Sequence, residues 1–220
     1  MYNMYKNEQS GRSMVEMLGV LAIIGVLSIG GISGYSKAMA KYRVNKTLDQ
    51  ISMLVMNIRS LFSASVDYVG LNDKTAIQMG IIPRDMLPPG LTEANASSIM
   101  NAYQGGVFLT TGNSGGSNRS FVVQYSGLTR EACVSIATAD WGSQAGSGLV
   151  RISVKAGTGT KTDKVTMTDT TCTANTVVNT DKITAKATYC MADMPISLAQ
   201  AAGSCTSTLD TGNAIEWEYY

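Results

Sequence analysis

The spacing of apolar residues changes along the N-terminal part of the chain. Residues 17–34 are apolar, carry no charge and include several glycines. After Tyr35 the charges return, and apolar residues recur at alternating steps of four and three, as on one face of a helix. The residues of this stripe are Val44, Leu48, Ile51, Val55, Ile58 and Phe62. Because no proline precedes Pro83, the pattern predicts one helix over residues 13–62, roughly 75 Å long at about 1.5 Å per residue.

The two halves of this predicted helix have different surroundings. The uncharged half is close to the shortest length that crosses a bilayer, about 17 residues, and its glycines would allow close contact between helices. The second half is amphipathic, so we expect it to pack on a domain of its own chain. The sequence therefore divides into a hydrophobic segment at 12–35, an amphipathic segment at 36–65 and a globular head at 66–220.

The head is predicted to contain both strands and short helices. Alternating apolar and polar residues predict strands at 105–111, 119–126, 149–155 and 212–220. In the last of these, Ile215 and Trp217 alternate with Glu216 and Glu218. Short helices are expected at 73–80, 91–103, 128–138 and 195–202, and residues 157–188 are interpreted as an inserted hairpin or loop. This order predicts an α+β fold, with the long helix packed on an antiparallel sheet.

Composition narrows the classes of function. Charged residues make up 15% of the chain and the net charge is +1, which gives no electrostatic reason to expect nucleic-acid binding. Histidine, the commonest general base and metal ligand, does not occur. We therefore predict no catalytic residue, no metal site and no cofactor.

The chain has 4 cysteines, and all follow residue 130. An even number in one part of a chain with a membrane-directing N-terminus indicates two disulfides formed in an oxidising compartment. Paired cysteines offer no thiolate nucleophile, which further lowers the expectation of an enzyme. Spacing alone leaves all three pairings open.

Glu16 stands directly before the uncharged run. A lone carboxylate in lipid costs several kcal/mol, so it predicts a partner or a function. A cut after Gly11 would create a new amino terminus on Arg12, and the same group on a neighbouring copy would be a suitable positive partner.

This N-terminal arrangement resembles that of type IV pilins. Those proteins carry a short polar leader that ends in glycine and is removed by a prepilin peptidase. Their first mature residue is then N-methylated, and a glutamate stands at the fifth position. The resemblance implies a leader at 1–11, cleavage between Gly11 and Arg12, methylation of Arg12 and an assembly role for Glu16. The chain departs from the family pattern at Arg12, where an apolar residue is usual, and at Ser33, near the position of a common helical proline.

The C-terminal part resembles type IVb pilins. In these, a disulfide joins the helix after a central strand to a segment near the C-terminus, and residues 121–133 and 194–217 look like the two halves of that element. The resemblance implies a Cys133–Cys205 bond, with Cys172–Cys190 inside it holding the inserted excursion.

The function implied by the resemblance is that of a structural pilin of a type IVb-like pilus. The precursor would sit in the bacterial inner membrane, and the pilus assembly machinery there would build it into an extracellular homo-oligomeric filament. A minor pilin or tip adhesin and a type II secretion pseudopilin remain alternatives. A further alternative is a secreted binding domain that begins at Lys41, after a conventional signal peptide; Glu16 beside the apolar core weighs against it.

Overall fold

The structure is a computed structural model, and it describes residues 13–142, 147–157, 159–167, 172, 183–208 and 211–220. The chain divides into two compact units, Met1–Tyr42 and Arg43–Tyr220. The predicted long helix is confirmed: α1 runs over Met14–Leu61 and contributes to both units.

In the second unit, one side of α1 enters the hydrophobic core. The buried residues of the helix are Thr47, Gln50, Ile51, Leu54, Val55 and Ile58. Val44, Leu48 and Phe62, also in the predicted stripe, are partly buried against the same core. Polar contacts supplement this packing, since Asn57 donates to the Ile81 carbonyl at 2.8 Å and Gln50 donates to Asp85 at 2.9 Å. The amphipathic pattern therefore corresponds to the face that the helix buries.

A six-stranded sheet forms the centre of the second unit. Its strands are β1 (Ile99–Met100), β2 (Gly106–Gly112), β3 (Ser120–Leu128), β4 (Leu149–Ala156), β5 (Thr188–Cys190) and β6 (Asn213–Tyr219). The spatial order is β1-β2-β3-β6-β4-β5, and every neighbouring pair is antiparallel. The four longer strands are the predicted ones. The last strand of the sequence therefore lies between β3 and β4, where both of its edges are paired.

The two faces of the sheet differ in chemistry. On the face that we call inner, Val123 pairs with Trp217 and Tyr125 with Ile215, and all four side chains are fully buried. They belong to the same hydrophobic cluster as the buried residues of α1. Because side chains alternate along a strand, Gln124, Glu216 and Glu218 point to the opposite, outer face.

The described residues of the second unit also form three short α-helices: α2 (Asp73–Gln78), α3 (Arg130–Ala137) and α4 (Leu198–Ser204). The predicted start of the last helix at Pro195 is wrong. The Met194–Pro195 bond is cis, and the helix begins after Ser197, whose hydroxyl accepts from the Gln200 backbone N–H at 3.2 Å. The side chain of Gln200 accepts in turn from the Ser197 N–H, which completes a capping box.

The predicted helix at 91–103 is also wrong. These residues form turns followed by β1. The Asn101 side chain accepts from the backbone N–H groups of Tyr103 and Gly105 and donates to the Ser126 carbonyl at 2.8 Å. Asparagine thus offers the backbone local hydrogen bonds that compete with a helix, and no strong apolar face opposes them.

Two disulfides link separate elements of the head. Cys133 of α3 is bonded to Cys205 at the end of α4, and Cys172 is bonded to Cys190 of β5. These are the pairs that the pilin resemblance implies. Much of the excursion predicted at 157–188 lies outside the described residues, which there comprise 157, 159–167, 172 and 183–188.

Candidate functional site

Glu16 lies in the first turn of α1 with its side chain exposed. Its backbone N–H donates to the Ser13 carbonyl at 2.9 Å. In the part of the chain that the structure describes, no hydrogen bond or ion pair reaches its carboxylate. Gly11 and Arg12, the predicted cleavage and methylation positions, lie outside the described residues. The carboxylate is thus accessible to a positive group from another molecule.

The helix that follows Glu16 presents apolar side chains on all sides. Every residue from 13 to 38 is exposed, including Leu18 at 66%, Val26 at 73% and Ile29 at 73%. By length and composition this helix is able to cross a membrane, with a mean hydropathy of 2.2 in its most apolar window. Such a surface is stable only when lipid or other protein covers it.

The glycines of this segment leave open space beside the helix backbone. A Cβ added at Gly19, Gly25, Gly30, Gly31 or Gly34 would meet nothing within 4 Å. The space is therefore available to a neighbouring helix, whose backbone could approach closely as small-residue positions allow in membranes.

Besides Glu16, the structure shows a cluster of three charged residues on the outer face of the sheet. The sequence analysis did not single out this cluster. Arg151 of β4 and Glu216 and Glu218 of β6 are 6%, 7% and 3% exposed. Arg151 pairs in register with Glu218, and its Nε donates to the Glu218 carboxylate. Its Nη2 lies 3.2 Å from Glu216 Oε1. One guanidinium therefore serves two buried carboxylates.

Hydrogen bonds from β3 and from the turn that follows β2 complete this charged trio. Glu218 Oε1 accepts from the Ser120 hydroxyl at 2.6 Å and from the Ser114 backbone N–H at 3.2 Å. Glu216 Oε2 accepts from Gln124 Nε2 at 2.9 Å. Burial alone would raise the pKa of the Glu218 carboxyl, but these donors and the charge of Arg151 together lower it.

Gln124 also attaches a loop segment to the outer face. Its amide accepts from the Val165 N–H and donates to the Val165 carbonyl, both at 2.8 Å. Ser126 adds a bond to the Lys161 carbonyl at 2.7 Å. Residues 161–165 are thereby held beside the trio, and Val165 is buried. Because the polar groups of the trio are paired within the head, we interpret it as a structural element.

The alternation of apolar and polar residues placed these side chains on one side of their strands, but it did not predict that they are buried. The strand register that brings Arg151 opposite Glu218 cannot be predicted from the sequence pattern. The described residues contain no cluster of three or more His, Cys, Asp or Glu able to hold a metal ion.

Comparison with known proteins identifies the family. A family model described as PilS N terminal matches residues 41–188, which is more than half of the chain. The chain belongs to the PilS family. A comparison with curated proteins finds no match.

Two solved structures resemble this PilS-family chain. A type IVb pilin from Salmonella typhi is 19% identical, with a TM-score of 0.50 over 80% of this chain and 98% of that one. TcpA, a type IV pilin from Vibrio cholerae El Tor, is 14% identical, with a TM-score of 0.51 over 81% and 99%. The likeness confirms the predicted pilin fold, a long helix with an antiparallel sheet and disulfides.

Proposed function

We propose that this PilS-family chain is the structural subunit of a type IVb-like pilus. The observation that carries the proposal is the exposed, uncharged surface of α1 over residues 17–34, with a carboxylate at its start. Lipid would cover that surface in the precursor, which would sit in the bacterial inner membrane. Other copies of the chain would cover it in the filament. The family and fold support this role, which requires no catalytic residue and no cofactor.

A prepilin peptidase would cut between Gly11 and Arg12, and the new terminus would be N-methylated. Glu16 of one copy would then neutralise the Arg12 amino group of the next as the inner-membrane assembly machinery adds subunits. In a low-dielectric environment such a pair sets the register between copies more reliably than it adds stability.

The head would form the outside of the filament. Its two disulfides suit an oxidising extracellular environment. The buried trio of Arg151, Glu216 and Glu218 ties two central strands together without any external partner.

Intact-mass measurement and N-terminal sequencing of filaments from the native host test the processing. We expect the mature chain to start at Arg12 and to carry one added methyl group. A start at Lys41 would overturn the pilin assignment and leave a secreted domain.

The role of Glu16 is tested by Glu16→Ala, with Glu93→Ala as the matched change of an exposed acidic residue in the head. We expect the first variant to be processed and inserted into the membrane but to form few filaments, and the second to assemble normally. Normal filament yield from Glu16→Ala would contradict the assembly role.

A further inference from the structure

The stretch of α1 that follows the uncharged run concentrates positive charge. Its cations are Lys37, Lys41, Arg43 and Lys46. No acidic residue occurs between Glu16 and Asp49, so no acidic side chain within the stretch balances this charge. Membrane insertion does not account for it either, because cations beside a span favour the cytoplasmic side, whereas the proposed function puts this end of the span on the side of the exported head. The charge therefore points to an anionic partner.

Lys37 and Lys41 are adjacent cations without a partner in the described part of the chain. Lys46 differs from them, since its Nζ lies 3.1 Å from the Asp85 carboxylate. Lys37 and Lys41 are both exposed, and within the residues that the structure describes no acceptor contacts either ammonium group. The two lysines are four residues apart, so they lie side by side on the helix, where like charges repel each other. An anion bound between them would remove this repulsion.

Two exposed tyrosines accompany these lysines. Tyr35 is 67% exposed and Tyr42 is 58% exposed. They are seven residues apart and therefore lie on the same side of the helix. Exposed tyrosines beside an apolar span are typical of the boundary between lipid and water, where the ring contacts acyl chains and the hydroxyl reaches the polar layer. We call Tyr35, Lys37, Lys41 and Tyr42 the collar.

The length of the uncharged run places the collar at the depth of the lipid headgroups. From Glu16 to Tyr35 the helix rises about 28 Å at about 1.5 Å per residue. This rise is close to the thickness of the hydrocarbon core of a bilayer, about 30 Å. With Glu16 at one boundary of the core, Tyr35 lies at the other, and the lysines that follow reach the layer of phosphates. The collar lies within α1 and within the first compact unit, so this placement depends on no contact with the head.

We propose that the collar binds the phosphate groups of anionic phospholipids, such as phosphatidylglycerol, while α1 spans the membrane. This inference rests on the proposed function, since it requires the membrane-inserted precursor. Anionic lipids are favoured over zwitterionic ones because the collar contains two cations and no acidic side chain to pair with a headgroup amine. The lipid contacts would hold the precursor at a fixed depth until assembly removes it from the bilayer.

Native mass spectrometry of the full chain in nonionic detergent tests the lipid preference. The chain is offered equal amounts of phosphatidylglycerol and phosphatidylcholine, and the bound lipids are identified by mass. We expect phosphatidylglycerol to dominate. Lys37→Gln/Lys41→Gln should weaken its binding roughly 25-fold, because each basic residue near an anionic lipid surface contributes about fivefold. Lys37→Arg/Lys41→Arg should retain the binding.

The matched control is Lys74→Gln/Lys161→Gln, which removes two exposed cations from the head and should leave lipid binding unchanged. Equal binding of the two lipids by the unsubstituted chain, or unchanged phosphatidylglycerol binding by Lys37→Gln/Lys41→Gln, would overturn the inference. The measurement does not depend on polymerisation. A chain that prefers phosphatidylglycerol but never forms filaments would contradict the proposed function alone, and a chain that forms filaments without this preference would contradict the inference alone.

Fluorescence quenching in phosphatidylglycerol vesicles tests the depth of the collar. Tyr42→Trp puts a fluorophore in the collar, and Ile24→Trp puts one near the middle of the uncharged run; the unsubstituted chain gives the background from Trp141 and Trp217. We expect lipid brominated next to the headgroup to quench position 42 more than lipid brominated at the chain ends, and the reverse at position 24. The same quenching pattern at both positions would show that the collar does not lie at the headgroups, and would overturn the inference.

Discussion

In the helix segment 13–38 nearly all side chains are apolar or small and all are exposed, whereas on the outer face of the sheet three charged side chains are buried. Both arrangements reverse the usual distribution of residues in a soluble protein. The two arrangements differ in what offsets their cost: contacts within the head in one case, and contacts with the surroundings in the other. The buried charges are bonded to one another and to neighbouring strands, so the head satisfies them internally. Among the described residues nothing covers the exposed apolar surface, so it needs lipid or other protein as a cover.

The largest expected effect on the stability of the head comes from removing the cation that pairs with the two buried carboxylates. Arg151→Met removes the guanidinium from both Glu216 and Glu218, and we expect it to destabilise the head by about 3–5 kcal/mol, as for other broken buried ion pairs. Arg119→Met, at an exposed position, should change stability little. Chemical denaturation of the full chain in detergent, followed by tryptophan fluorescence, measures both.

Replacing the whole trio provides a further control. Because the cost arises from unpaired buried carboxylates, adding Glu216→Leu and Glu218→Leu to Arg151→Met should recover much of the lost stability. If the single Arg151→Met variant is as stable as the unsubstituted chain, the trio does not hold the sheet as described.

We expect the next largest loss of stability from removing the disulfides. They close sequence separations of 72 residues between Cys133 and Cys205 and 18 between Cys172 and Cys190. In the chain-entropy model, loss of the first costs about 4 kcal/mol and loss of the second about 3 kcal/mol. Paired serine variants, unfolded by denaturant under the same conditions, measure the two costs. A larger loss for Cys172→Ser/Cys190→Ser would contradict the ranking.

A charge in the apolar helix should affect a different property. Leu21→Lys places a cation in the uncharged run, and we expect it to cost about 2.5–3.5 kcal/mol in membrane insertion. The denaturation midpoint of the head should not change. Asn45→Lys, at an exposed position outside the run, is the matched control. The fraction of chain retained in washed membranes reports insertion, and a shifted head midpoint for Leu21→Lys would remove the contrast between the two regions.

The smallest expected effect is the contribution of the Glu218 carboxyl to the pH dependence of the head's stability. Its pKa is lowered in the folded head from the ordinary value of 4.5. It therefore adds stability that is complete above about pH 4.5 and is lost as the pH falls through the lower folded pKa. Denaturation at a series of pH values should show a steeper acid loss for the unsubstituted chain than for Glu218→Gln. Parallel profiles would mean that this carboxyl is not stabilised by the trio.

Local pattern predicted the regular parts of the chain well. The spacing of Ile51, Val55 and Ile58 and the absence of proline were sufficient for α1, because a helix is built from contacts three and four residues apart. Alternation predicted the four longer strands, including the side of β6 that carries Trp217. Local pattern failed at residues 91–103 and at Pro195, where the side-chain hydrogen bonds of Asn101 and Ser197 decide the backbone.

The sequence by itself therefore determined the long helix, the uncharged surface behind Glu16 and the strand content of the head, since each depends on neighbours within a few residues. Only the tertiary structure decided that β6 lies between β3 and β4. The register between β4 and β6 then brings Arg151 opposite Glu218. Burial of the trio follows from pairing between residues 67 positions apart. A groove between α1 and the rest of the second unit, lined by Met56, Trp141 and Tyr219, likewise forms only because residues far apart in the chain meet. Such long-range contacts depend on how whole elements pack, which no short stretch of sequence specifies.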